Sequence, residues 1–378
     1  MGFLSILFRL IVAIGLGMYI YGTIVIIIRN YRLKKDPENK KIIENPINLL
    51  LILACFIFLL IISQIKLNFN FDGTIRQNIN FTVISIFIAI GITFLVSQIL
   101  KRMGKIPENM ANLVSISEDQ KNSEENNQKL DRDRKSNHLL AFGVALAAIL
   151  IGIVTVYILL FFTDSPYYGY FIEKAVNFWD REDGTSFLQN TFNVDIFSTS
   201  RTILSITYGG FAMLLTTIEY SRLSRNIYFP FQNVVQNQLR YEEKDAIGSY
   251  VYMIVALAVC SVLLSTSFFL SVVSVVSFGD SAASLVGMRF GKRKYKHNNK
   301  TLEGTIAGGI VSLIFVFLFS GIYYAIAATI IFVIIDLITP KPFKLNDNIL
   351  LPLILTGVII LLFVLGVPAN SLFEYLIQ

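Results

Sequence analysis

The sequence predicts an all-α, polytopic membrane helix bundle of about ten transmembrane helices, and three observations support that prediction. Hydrophobic residues make up 54% of the chain and charged residues 15%, whereas ordinary soluble domains carry about 25% charged residues. The mean hydropathy is +0.63, and uncharged runs of about 18 or more residues recur, each able to cross ~30 Å of hydrocarbon as a helix. Basic residues gather in alternate loops, the pattern that marks the cytoplasmic side. The net charge of +6 is accounted for by those loops and calls for no nucleic-acid partner. Cys55 and Cys260 lie in separate apolar runs and read as small buried hydrophobes.

The first span covers roughly 3–28 and, with no small-residue cleavage site, reads as a retained helix. The loop 29–45, with Arg29, Arg32, Lys34, Lys35, Lys40 and Lys41, is placed in the cytoplasm. Spans two (46–65) and three (80–100) follow, and the polar segment 106–137 reads as a flexible cytoplasmic linker. Span four (139–162) leads to an acidic, aromatic outer loop, and span five (202–219) returns to Glu219 and Arg222, an i,i+3 pair. Spans six (249–266) and seven (268–288) form a hairpin that brings Asp280 toward the cytoplasm. Spans eight (305–319), nine (321–338) and ten (349–367) complete the chain, with both termini outside. Two regions result: 1–137, the N-terminal spans and linker, and 138–378, a membrane-embedded catalytic region. No internal repeat marks a transporter built from inverted halves.

The chemistry concentrates between Gly279 and Thr305. Asp280 sits inside an apolar run, where an ionisable group is costly and points to a partner, a cavity or a function. It is a candidate Mg²⁺ ligand or base, or a partner of Arg289. Arg289, Lys292, Arg293, Lys294, Lys296 and Lys300 follow closely, suited to phosphates or, as a plainer role, to anionic lipid and topology. Lys300-Thr301-Leu302-Glu303-Gly304-Thr305 opens the next helix, an end whose unpaired N–H groups and dipole favour anions. Thr301 serves equally as its N-cap. Gly279, Ala283, Gly287 and Gly291 form one small-residue stripe, and Gly304, Gly308 and Ser312 another, so the two helices are expected to pack closely. Asp336 and Asp347-Asn348, near the ends of later spans, are further candidates. His138 and His297 are isolated, and no triad, Walker loop or zinc pattern is present.

The Gly279-Asp280 stretch through Gly291-Lys292, followed by Lys300-Thr301-Leu302-Glu303-Gly304-Thr305, resembles the CTP-dependent lipid kinases: dolichol kinase, phytol kinase and the CTP-using diacylglycerol kinase. These are related to the phosphatidate cytidylyltransferases. The Lys-Thr-Leu-Glu-Gly-Thr form is closest to dolichol kinase, and the resemblance covers about 205–355, with Glu219, Arg222, Leu239-Arg240, Glu242, Gly248 and Asp347-Asn348 through Pro352 agreeing. Asp336 stands where the kinases would have a Glu. The His-Gly-Gly and Asp-Arg signature of the cytidylyltransferases is absent, which favours a kinase.

The resemblance implies transfer of the γ-phosphoryl group of CTP, with Mg²⁺, to the hydroxyl of a polyprenol- or dolichol-type lipid at the cytoplasmic face. It implies Asp280 and Asp336 as metal ligands, with Asp280, Glu303, Asp336 and Asp347 as the catalytic acids. Arg289, Lys292, Lys300, Thr301, Gly304, Thr305 and Asn348 would bind the nucleotide. The alternatives are a cytidylyltransferase that makes a CDP-lipid and an ion-coupled transporter. The acceptor classes open at this point are dolichol, polyprenol, phytol-like alcohols and diacylglycerol, in the plasma membrane of a prokaryote or the endoplasmic reticulum.

Overall fold

The structure is a computed structural model that describes residues 3–33, 46–64, 139–154, 196–224, 246–295, 300–339 and 345–370, with isolated positions at 91, 95, 99, 102 and 103. In chain order the helices are α1 (Phe3–Leu33), α2 (Pro46–Gln64), α3 (Leu139–Val154), α4 (Ile196–Ser224) and α5 (Ser249–Leu263). Then come α6 (Thr266–Ser274), a π turn (Val275–Gly279), α7 (Asp280–Phe290), α8 (Leu302–Ser320), α9 (Ile322–Ile338) and α10 (Asp347–Val364). Among the described residues six spans are long and apolar enough to cross a membrane, α6 to α7 counting as one run, and α3, α5 and α9 are shorter apolar helices. The chain is a polytopic, all-helical integral membrane protein. The expected span at 80–100 lies, apart from its isolated positions, outside the described residues, as do the linker 106–137, the segment 225–245 and both histidines.

Helix α5 forms the centre. Every residue from Val251 to Val262 is buried, as expected of a helix apolar on all sides. It runs antiparallel to α4, with Ser205 Oγ donating to Ser261 O at 2.9 Å near one end and Gly248 N–H donating to Glu219 Oε2 at 3.2 Å near the other. Residues on the outer faces of α8 and α9, including Ile306, Ile310, Ile314, Ile326, Ile330 and Ile334, are exposed at helical spacing. Such stripes suit hydrocarbon rather than water.

The small-residue stripes of α7 and α8 meet. A side chain added at Gly304 would overlap Ala283 O, and one added at Gly308 would lie 2.7 Å from Gly279 O. Such backbone approach is what small residues at this spacing permit in a membrane. Between α8 and α9 the chain reverses at Gly321, whose φ of 89° falls where glycine alone bears no steric cost.

Two features depart from the expected spans. Helix α4 extends past Glu219 and Arg222 to Ser224. Both charges are tolerated because Arg222 Nη2 lies 2.6 Å from Glu219 Oε2 and the pair is fully hydrogen-bonded to Ala246 O, Gly248 N–H and the Tyr250 hydroxyl. The seventh span is interrupted by the π turn directly before Asp280, where the Asp280 N–H reaches back to Val275 O. Single π turns of this kind are frequent at functional sites.

Helix direction explains the position of the site. The ends of α1, α4, α7 and α9 and the starts of α2, α5, α8 and α10 share one side of the bundle, in line with the contacts Arg29–Leu223 O, Asn48–Asn346, Glu219–Gly248, Thr305–Asp336 and Lys300–Asp347 and the approach of Gly287 to Thr301.

Candidate active site

Lys300 is the centre of the site. It precedes α8, and its Nζ lies 2.8 Å from Asp336 Oδ1 at the end of α9 and 2.9 Å from Asp347 Oδ2 at the start of α10. It also donates to Thr339 Oγ1 at 3.2 Å. Burial works against the ammonium, but the charges of Asp347, Asp336 and Asp280 and the hydrogen bond to Asp336 outweigh it, holding Lys300 above its ordinary range. Lys300 is therefore a fixed positive charge at neutral pH.

Asp336 is buried, with its side chain 8% exposed, and both its oxygens are engaged. One meets Lys300 and the other accepts the Thr305 hydroxyl from α8. Thr305 is one turn inside α8 on the face toward α9, so sequence order places the hydroxyl and the ammonium on either side of one carboxylate. Asp280, Lys300, Asp336, Asp347 and Asn348 line one pocket, with Val276, Phe332, Ile335 and Leu351 as its apolar wall. The enclosed space is about 10 Å³, room for one water-sized species. A nucleotide does not fit within it.

The remaining expected residues are organised differently. The Thr301 hydroxyl accepts the Gly304 N–H at 3.2 Å, the N-cap arrangement. Leu302 N–H donates to Arg293 O at 2.9 Å and Tyr295 N–H to Lys300 O at 3.0 Å, so the basic segment folds back on the start of α8 as a short hairpin. Glu303 accepts the backbone N–H groups of Lys292 and Arg293, both at 3.2 Å. It ties the hairpin to α8 and does not line the pocket. Arg289 and Lys292 are exposed, Arg289 resting over Phe290 at 5.5 Å. Asp280 is thus brought to Lys300 rather than to Arg289. Lys296 lies outside the described residues.

The donor chemistry suits a hard cation only in part. Carboxylate oxygens are correct for Mg²⁺, which is commonly held by one or two carboxylates together with substrate phosphates. Among the described residues no group of three acidic, His or Cys side chains converges on one point, and Asp336 is committed to Lys300 and Thr305. Asp280 and Asp347, which line the same pocket, carry carboxylate oxygens of the type such an ion takes.

Thr339 and the N-cap Asn346 were missed from sequence. Asn346 was findable, since Asn before an Asp-initiated apolar run is a helix-start signal.

No protein-family model matches the chain, and no solved structure matches it. It is similar to an uncharacterised protein of Methanocaldococcus jannaschii, 29% identical over 139 residues, covering 36% of this chain and 70% of that protein. It is also similar to dolichol kinase of Saccharomyces cerevisiae, 30% identical over 124 residues, covering 31% of this chain and 23% of the kinase. The chain therefore shares less than a quarter of that kinase's length, a partial and distant likeness.

Proposed function

We propose that the protein is a CTP-dependent lipid kinase that phosphorylates the hydroxyl of a polyprenol- or dolichol-type alcohol. The observation on which this rests is the fixed Lys300 ammonium held by Asp336 and Asp347 beside Asp280, at the end of the bundle that carries a basic hairpin. The partial likeness to dolichol kinase supports the same class. The basic hairpin supports placing this side in the cytoplasm.

Phosphoryl transfer requires positioning and charge neutralisation more than covalent chemistry from the protein. The pocket is cation-sized, so the triphosphate would lie at its mouth, against Lys300 and the hairpin that carries Lys292 and Arg293. Phosphate contact by the Gly304 N–H would require release of its Thr301 cap, and contact by Lys300 would require its ammonium to exchange one of its three partners, Asp336, Asp347 or Thr339. Mg²⁺ bound with the nucleotide would neutralise charge on the phosphate oxygens, with Asp280 as its ligand. The lipid hydroxyl oxygen attacks the γ-phosphorus, the bond to the CDP oxygen breaks, and the hydroxyl proton passes to a carboxylate of the pocket. The lipid tail would lie along the exposed Ile306, Ile310 and Ile314 face, whose apolar surface belongs in hydrocarbon.

The test is a CTP-dependent phosphorylation assay across polyprenol, dolichol, phytol-like alcohols and diacylglycerol, with wild type and Asp280→Ala in parallel. The proposal expects transfer to a long isoprenoid alcohol and its loss in the variant. Undiminished turnover in Asp280→Ala removes the role given to that acid.

A further inference from the structure

The N-terminal helices lie far in sequence from the pocket, yet α2 reaches it. Asn48, in the first turn of α2, is 3% exposed, and its Oδ1 accepts the Asn346 N–H at 3.0 Å. The two residues are 298 positions apart, more than twice the length of either alignment with a relative.

Asn346 is the N-cap of α10, its own Oδ1 accepting the Asn348 N–H at 3.0 Å. An N-cap N–H has no acceptor within its helix, and Asn48 supplies one. The next residue is Asp347, which holds Lys300 at 2.9 Å, and the one after is Asn348, which lines the pocket. A buried amide is costly unless its hydrogen bonds are made, and Asn48 is the one polar side chain in the first two turns of α2.

The mount is firm. Leu49 and Ile52 are fully buried, and Phe56 stacks on Tyr19 of α1 with ring centroids 5.2 Å apart. Helix α1 is in turn fastened to α4 by Tyr19–Thr217 at 2.8 Å and by Arg29 donating to Leu223 O at 2.6 Å.

We infer that Asn48 is a positioning residue for the active site. It fixes the Asn346 N-cap and thereby sets where Asp347 holds the Lys300 ammonium, so that the α1–α2 hairpin belongs to the functional unit. Its catalytic consequence rests on the kinase reading; its structural consequence does not. If Asn48 acted only in packing, loss of its acceptor would lower stability without changing nucleotide affinity selectively.

The experiment uses the full chain in lipid nanodiscs and two variants. Asn48→Leu keeps the branching at Cγ, in a larger side chain, and removes the acceptor, while Asn48→Asp keeps an acceptor oxygen at the same reach. If Asn48→Leu does not assemble, Asn48→Ser, too short to reach Asn346, replaces it. Steady-state kinetics give KM for CTP and kcat, and hydrogen exchange reports on the amides of 345–351. The expected result for Asn48→Leu is a KM raised about 10- to 100-fold, as for other outer residues that orient a ligand, with kcat little changed. Exchange at 345–351 quickens alongside, and Asn48→Asp moves both readouts back toward wild type. Unchanged KM or unchanged exchange in Asn48→Leu overturns the inference, as does equal damage by Asp and Leu. If wild type consumes no CTP, the kinase reading fails, and exchange at 345–351 alone decides the role of Asn48.

Discussion

Gly308→Ala perturbs the site without touching any charged group. Gly308 lies in α8 against Gly279, which precedes Asp280, and Phe332, which lines the pocket one turn before Asp336. A Cβ built there lies 2.7 Å from Gly279 O and 2.5 and 2.6 Å from two ring carbons of Phe332. The carbonyl contact is about 0.7 Å short of the 3.4 Å at which ordinary contact begins, and a backbone carbonyl cannot swing aside as a side-chain tip can. Overpacking of this kind costs about 1–3 kcal/mol, against which the better helix propensity of Ala returns at most about 1 kcal/mol. Stability should therefore fall only modestly. Activity should fall further, because a displacement near 1 Å at a reacting centre costs about 10²-fold; a loss of about 10- to 100-fold in kcat/KM is expected. Gly357→Ala is the control: it is exposed on α10, and nothing lies within 4 Å of its added Cβ. Turnover and thermal unfolding in the same detergent compare the two. Wild-type turnover in Gly308→Ala, or an equal loss in Gly357→Ala, would refute the claim that close approach of α7 to α8 sets the site.

Three further outcomes are expected. Thr305→Val removes the hydroxyl that holds one oxygen of Asp336, and should lower kcat/KM about tenfold or more, while Thr305→Ser retains most activity; equal loss in both would assign Thr305 to packing alone. Lys300→Met leaves Asp336 buried and unpaired, a cost at the lower end of about 3–5 kcal/mol because Lys300 is partly exposed. Since the folded-state pKa of Lys300 is raised, its stabilisation is complete below the ordinary lysine value and lost only as pH rises through the folded one. Measured against Lys300→Met combined with Asp336→Asn, which strands no buried carboxylate, the wild-type-minus-variant difference in Tm should thus stay flat from about pH 6 to about pH 9, and a slope within that window would contradict the assignment. Glu219→Ala strands the buried Arg222 guanidinium and the Gly248 N–H, and should destabilise the fold by about 3–5 kcal/mol, measured by thermal unfolding.

Much of this architecture is legible in the sequence because hydrocarbon imposes a simple rule: long apolar runs become helices, and charges within them stand out. Asp280 and Asp336 announce themselves in that way, Lys300 and Asp347 by their places at helix starts, and the glycine stripes of α7 and α8 foretell their close packing. Other parts depend on direction around a helix. Glu303 and Thr305 are two residues apart, about 200° around α8, so one faces the hairpin and the other Asp336. Proximity in sequence made them look like partners in one task. Arg289 turns outward for the same reason, and Lys292 lies just past the end of α7. The π turn before Asp280 and the Asn48–Asn346 contact depend on tertiary packing, the latter across 298 positions, and no local pattern encodes them.

The central claim is that the bundle moves a phosphoryl group from CTP to a lipid alcohol, and one labelling experiment addresses it most directly. Purified protein, Mg²⁺, polyprenol and CTP labelled on the γ-phosphate are incubated, and the label is followed. Label in a lipid monophosphate, with CDP released and no transfer by Asp280→Ala, is the predicted result. Label in pyrophosphate beside a CDP-lipid, or CTP left intact with every alcohol tried, would contradict it.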